Sequence, residues 1–480
     1  MTSNIPKLKA FPFNTIYITQ PTFNACFYAI RSFFVFYAIW RLGINESEAI
    51  GIFSMFMASC YGTTLMGGYL ADRSLGVKGG VVLGGILSVL GLLCLFFPSQ
   101  SMCLLGLTLF SVGSGLFKPN LMAAVGLAFE DPKDVRKGRA YSTVYALGNV
   151  GMVTLVPLCG FVGAWYGWSY ALAIVFAIMV IATLLVYKTM RFHSSYQAPS
   201  LLSTRSAGII GALVLVIYGL LNYTAVFKMV TFLSVLGSII YLAVILRRCN
   251  PEERQAVIAT IGYILLFAFF VSFFEQSASS FNFFLRDAVN REAMGLLVPP
   301  SVIQALGPLF VLLCAFTLLP LFSRYVEKEK PVGGSFKVGC GFFLAAASFF
   351  ILAFGSIQEV GSLVPLPWII LALFVQTLGE LWVGPVILSK ISQAAPSRFQ
   401  STLISFWTMA IAYGHCIAGI IAQFSITSKV GPKGDIGHFV NFFGSLGVMA
   451  MAIGVLIFVG RGVVPSILVK LAGTSRTDAD

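Results

Sequence analysis

The chain has 480 residues, 58% of them apolar or aromatic and only 10% charged, with a mean hydropathy of +0.90. Soluble proteins carry about 25% charged residues, so this composition excludes a domain folded in water and makes lipid the solvent. The net charge of +13 would suit nucleic acid, but the basic residues lie in short loops between apolar runs, where they report topology, and no nucleic-acid partner is expected.

In chain order, the opening MTSNIPKLKAFPFN lacks the basic start, short apolar core and small-residue cleavage site of a signal peptide. The first span is therefore expected to stay as an anchor. Apolar runs of roughly 20 residues or more predict spans at 22–42, 48–71, 79–98, 102–128, 142–164, 168–190, 207–224, 229–246, 256–285, 299–323, 337–356, 366–391, 399–424 and 440–465. The expectation is an all-α polytopic membrane protein of 14 helices, grouped six, two and six. The divisions are 1–192, 193–254 and 255–480, the middle one a Leu/Val/Ile-rich hairpin with no buried formal charge and no assigned chemistry. Two six-helix halves fit the plan of the major facilitator superfamily, whose site lies near the bilayer midplane.

With the N-terminus cytoplasmic, the cytoplasmic segments hold 23 of the 31 basic residues and the opposite side six, while Arg31 and Lys118 lie within spans. That split places both termini in the cytoplasm of a cell (inner) membrane protein. No loop is long enough for a soluble domain. No nucleophile–base pair, metal cluster or phosphate-cradling glycine loop stands out, so neither an enzyme nor a cofactor is expected. Nine scattered cysteines read as small apolar filler.

Four formal charges fall well inside spans: Arg31, Lys118, Glu275 and Glu380. Each costs about 2.5–3.5 kcal/mol at the bilayer centre, which marks such residues as functional candidates. They could merely lock helices together as salt bridges. Their distribution favours a site, because the cations lie in the first half and the carboxylates in the second. Such a pair of walls complements a small zwitterion, its carboxylate toward Arg31 and Lys118 and its ammonium toward Glu275 and Glu380. Tyr28, Phe27, Phe33 and Phe34 on the first span, Tyr61 on the second, Tyr145 on the fifth and Trp407 on the eleventh supply candidate pocket walls. His415 titrates near neutrality and is a further proton-site candidate, its plainer role being an interhelical hydrogen bond.

These residues sit in segments that resemble the proton-dependent oligopeptide transporter family over about residues 20–465. The motifs are GGYLADRSLG (67–76), GSGLFKPNLMAAVG (113–126), YSTVYALGNVGMVTLVPLCG (141–160) with YGW (166–168), FFEQSASSFN (273–282), IQALGPLF (303–310) and TLGELWVGPVILSKISQAAP (377–396). The resemblance implies that Arg31 and Lys118 face the peptide carboxylate and Glu380 its amino group, with Glu275 tied to the proton and the peptide. It also implies that Tyr28, Tyr61 and Asn149 line the pocket, and that Asp72 and Arg73 hold cytoplasmic helix ends together. A small peptide, protons and the lipid bilayer are then the expected partners of a monomer.

The departures are specific. The family's Glu-x-x-Glu-Arg-Phe motif on the first span is here Gln20-Pro21-Thr22-Phe23-Asn24-Ala25, so two titratable carboxylates are missing. The tyrosine usual before Tyr28 is Phe27, the asparagine usual before Pro-Leu-Phe is Gly307, and the acid usual after Glu275 is Arg286, with Asp287 beside it. The function expected is import of di- or tripeptides by alternating access, with atypical proton coupling. A transporter of another small zwitterion or anion, or a non-transporting sensor, are the alternatives.

Overall fold

The computed structural model describes residues 13–127, 135–191, 204–314, 334–358, 363–394, 396, 399–426 and 436–471. In lipid each backbone N–H and C=O must find its partner within the chain, so apolar runs become helices. They are α1 (Phe13–Leu42), α2 (Glu46–Leu70), α3 (Gly76–Leu95), α4 (Gln100–Leu127), α5 (Val135–Trp165), α6 (Trp168–Arg191), α7 (Thr204–Asn222) and α8 (Thr224–Arg248). There follow α9 (Pro251–Phe274), α10 (Ser280–Asp287), α11 (Pro300–Ile303), α12 (306–314), α13 (Gly334–Gln358), α14 (Leu366–Ala394), α15 (Gln400–Gln423) and α16 (Ile436–Leu471). Local signals set several ends. Asn250 and Glu253 form a capping box with Pro251 at the start of α9, and Asn45 with Glu48 repeats the pattern ahead of α2.

Among the described residues, 12 helical segments are long and apolar enough to span a membrane, against the 14 runs expected. The expected spans 48–71 and 79–98 run on as one helical segment, Glu46–Leu95, through a π-helical turn at Ala71–Leu75. The expected span 299–323 begins as α11 and α12, and its remainder lies outside the described residues. The expected span 256–285 is interrupted: α9 ends at Phe274, a 3-10 turn covers Glu275–Ala278, and α10 restarts at Ser280.

The chain divides into two compact units. Unit 1 comprises Met1–Ile44 and Ser59–Asn222, and unit 2 comprises Asn45–Ala58 and Tyr223–Asp480. In unit 1, α1 packs on α5 and α6, and α3 on α4 and α6. Phe23, Phe27, Phe33, Phe34, Phe110 and Phe117 are among its fully buried side chains. In lipid, helices associate through close van der Waals fit rather than the hydrophobic effect, and small residues permit it. At the α2–α4 crossing, a Cβ on Gly67 would fall 2.0 Å from the Gly115 carbonyl oxygen. Beside it, Thr63 Oγ1 donates to Ser111 O (2.9 Å), and Asn120 Nδ2 donates to Gly67 O (3.3 Å).

In unit 2, α13 packs on α14 and α16, while α9 packs on α14 and α15. The Gly341 and Gly379 backbones meet in the same manner, which fixes α14 one residue before Glu380. The hairpin 193–254 makes specific contacts where it is described. Within unit 1, Ser206 of α7 donates to Ser74 Oγ (2.8 Å). Within unit 2, Ser234 and Ser238 of α8 bracket the Tyr413 hydroxyl of α15 at 3.2 and 3.0 Å.

Short strands, which hydropathy did not foreshadow, lie after α10. Strand β1 (Val289–Asn290) pairs in parallel with β4 (Val364–Pro365), and β2 (Glu292–Ala293) pairs antiparallel with β3 (Leu296–Leu297). The β2–β3 turn puts Met294 and Gly295 at φ of 52° and 77°, the left-handed pair that a two-residue hairpin turn demands.

Candidate functional site

Unit 1 brings its two internal cations onto aromatic surfaces. Lys118 lies one residue before Pro119 on α4, where Asn120 and the Gly67–Gly115 contact hold that helix against α2. Its Nζ is 3.1 Å from the centre of the Phe27 ring, 5.6 Å from Tyr61 and 5.9 Å from Phe23. Phe27 in turn meets Tyr61 and Tyr28 edge-on. Arg31, one turn beyond Tyr28 on α1, is buried with its guanidinium carbon 5.2 Å from the Tyr28 ring. Sequence positions spread over three helices thus converge on one cationic, ring-lined surface.

The other expected unit 1 residues divide. Asn149 is buried on α5, where its amide donates to Tyr145 O (3.0 Å), while the Tyr145 side chain is exposed. Phe33 stacks on Trp168 (5.6 Å) and Phe34 approaches Tyr37 (6.4 Å), both buried as packing residues. Asp72 and Arg73 are exposed on the π-helical turn, with Arg73 over the Tyr69 ring.

Unit 2 carries the carboxylates. Glu275 is buried at the interruption between α9 and α10. Its Oε2 lies 3.4 Å from Nδ1 of His415 on α15, an interhelical ion pair when the imidazole is protonated. Glu380 is partly buried on α14, one turn past Gln376, whose amide donates to the carbonyls of Phe273 (3.3 Å) and Phe274 (3.4 Å). Trp407 stacks on Phe267 (5.2 Å), and its indole Nε1 is buried with no hydrogen-bond partner among the described residues. Gly307 is the second residue of α12, and a Cβ there would meet none of the described residues within 4 Å. Arg286 is engaged, donating to both carboxylate oxygens of Asp287 (2.6 and 2.8 Å) and pairing with Glu46 at 2.7 Å.

Sequence reasoning missed two of these features. The interruption at Glu275 is signalled by the small polar run Gln-Ser-Ala-Ser-Ser, which hydropathy averaging hides. The His415–Glu275 contact joins residues 140 positions apart, beyond the reach of any spacing rule.

Long apolar helices that hold charged side chains at depth define a multi-pass membrane transporter. The profile described as "PTR2: POT family" matches residues 79–436, and the chain belongs to that family. A dipeptide and tripeptide permease A from Pectobacterium carotovorum is 26% identical over 443 residues, covering 90% of this chain and 87% of that one. An uncharacterized transporter, YclF, of Bacillus subtilis is 26% identical over 462 residues, covering 92% and 91%. A peptide transporter POT solved in complex with sulfate is 26% identical, covers 94% of both chains and superposes with a TM-score of 0.83.

Proposed function

We propose that this chain imports di- and tripeptides across the cell (inner) membrane by alternating access, coupled to protons, with both termini cytoplasmic. The observation that carries the reading is the sorting of buried charge: cations on rings in unit 1, carboxylates in unit 2. A peptide's carboxylate goes to Arg31 and Lys118, its ammonium to Glu275 and Glu380, with Tyr28, Tyr61, Asn149, Tyr145 and Trp407 as walls and Asp72 and Arg73 at the helix ends. Substrate that engages both signs favours an occluded state, and its release favours reopening. The two-plus-twelve plan of 14 spans, with divisions at 192 and 254, and action as a monomer belong to the same reading. Permeases of di- and tripeptides at 26% identity over nearly the whole chain support it.

Uptake of a labelled dipeptide into proteoliposomes, with and without an inward proton gradient, tests it; no uptake of any di- or tripeptide under either condition overturns it. Trp407 gives a sharper reading. Its buried N–H lacks an acceptor among the described residues, a cost of about 1–3 kcal/mol that a substrate carbonyl would relieve. Trp407→Phe, which keeps the ring against Phe267, is expected to raise KM for dipeptides about tenfold with little change in thermal stability. An unchanged KM would remove Trp407 from the site.

The open space at Gly307 favours a second reading, in which the preferred zwitterion is something other than a peptide. A Cβ at that position meets none of the described residues within 4 Å. Gly307→Asn is expected to tighten dipeptide binding several-fold, about 1 kcal/mol for one added hydrogen bond, as read by ligand-dependent melting. Loss of dipeptide binding in the variant, with an amino acid or organic anion bound by the parent, would favour the other zwitterion.

A further inference from the structure

Along α1, every residue from Thr19 to Ala38 is buried except Thr22, Asn24 and Tyr28. The Thr22 hydroxyl is satisfied within the helix, donating to Ile18 O (2.5 Å). Asn24 and Tyr28 are four residues apart and so share one face. Their strip adjoins the cationic surface. Phe23 and Phe27, which bracket Asn24 in sequence, border the Lys118 Nζ at 5.9 and 3.1 Å, and the Tyr28 ring lies 5.2 Å from the Arg31 guanidinium carbon.

The Asn24 amide hydrogen-bonds none of the described residues. Its Nδ2 lies 3.3 Å from where a Cβ on Gly148 of α5 would stand, so that glycine leaves it room. Gln20, one turn earlier on the same face, is 5% exposed, and its Oε1 is buried with no hydrogen-bond partner among the described residues. Side-chain amides left unmet inside a membrane span are costly. These two stand where the resembled motif carries a glutamate and an arginine. A neutral group that offers both a donor and an acceptor thus takes the place of charge. A peptide bond carries the same two groups, whereas a carboxylate only accepts and an ammonium only donates.

We propose that Asn24 is a subsite for the substrate's peptide bond; this rests on the reading of the chain as a peptide importer, and it names the residue that tells a peptide from another zwitterion. From Phe27 back to Asn24 the helix rises about 4.5 Å, and one residue of an extended peptide spans about 3.3–3.6 Å. With the substrate carboxylate at Lys118, over the Phe27 ring, a peptide running toward Asn24 brings its last peptide bond to that level. The N–H and C=O of a trans peptide point in opposite directions, so the Asn24 amide meets one of them, donating to the C=O or accepting from the N–H. The charged groups then hold the two ends of the substrate, and Asn24 reads what joins them.

Diglycine and 5-aminopentanoate test this, because both place four atoms between ammonium nitrogen and carboxylate carbon and only diglycine has an amide. Ligand-dependent melting at fixed pH and salt gives the affinity of each for the wild type and for Asn24→Ala. The substitution is expected to weaken diglycine about five- to tenfold, the worth of one hydrogen bond and its desolvation, and to leave 5-aminopentanoate unchanged or tighter. Equal weakening of both ligands would make Asn24 a structural residue, and no change in either would leave it a water site; both results overturn the subsite, as does a wild type that does not bind diglycine. If Asn24→Ala does not fold, Asn24→Leu, apolar like the rest of the span, takes its place. The import reading fails separately, when the wild type takes up no di- or tripeptide.

Discussion

Replacing Lys118 by Met is expected to lower dipeptide uptake efficiency about 10- to 100-fold and, in the same protein, to raise the melting temperature. Among the described residues Lys118 meets three aromatic rings and no carboxylate. Cation–π contacts offset part of the cost of a charge at this depth, about 0.5–2 kcal/mol each, against a penalty of several kcal/mol for a desolvated ion. A residue retained for folding would be paired. Met keeps the length and the apolar stem, removes the charge, and should stabilise the protein by about 1 kcal/mol or more. If Lys118 receives a substrate carboxylate, the same change forfeits a charge-assisted bond of about 1.5–3 kcal/mol, a fall of about 10- to 100-fold in uptake efficiency. Melting curves in detergent and uptake in proteoliposomes give the two readings. A joint loss of stability and uptake would make Lys118 a structural residue.

Gly67→Ala is expected to act in the opposite way, through the fold alone. The added methyl would lie 2.0 Å from Gly115 O and 2.9 Å from the Leu116 Cα, both backbone atoms that no side-chain rotation can clear. Separating α2 from α4 costs about 1–3 kcal/mol or more, and strips Asn120 and Thr63 of acceptors on the facing helices. We expect poor yield of folded protein and a markedly lowered melting temperature, whereas Gly68→Ala, beside open space, should be silent. Equal behaviour of the two variants would refute the close contact.

The helices were legible because the bilayer demands a simple signal, an unbroken apolar run. Legible too were the four internal charges, since each stands out against that background. What hydropathy could not convey was how a run is interrupted. Leu70 to Gly76 carries Asp72 and Arg73 and reads as a loop, yet it continues as a π-helical turn. Glu275 to Ser279 reads as span, yet it breaks. In both places a contact from a distant helix stands at the turn, Ser206 on Ser74 and Ala418 on Gln276.

Side-chain environments were legible in the same uneven way. Tyr28 and Tyr61 stood out as site candidates by residue type and motif, and they lie beside Arg31 and Lys118. Tyr145 stood out equally and is exposed. The tyrosine usual before Tyr28 is replaced by Phe27. In the structure its ring face lies 3.1 Å from the Lys118 ammonium. The tie from Arg286 to Glu46 needed the start of α2 and the end of α10 at one place, 240 residues apart in sequence.

The turn at Met294–Gly295 offers an experimental handle. Met294 is fully exposed, Gly295 has no neighbour within 4 Å of a built Cβ, and both backbones are already in the turn conformation. A short epitope inserted there extends an exposed turn tip, the kind of position that tolerates insertion. Antibody access to that epitope in intact cells, set against access to a tag at either terminus, reads the sidedness of the whole chain directly, with transport left running as an internal control.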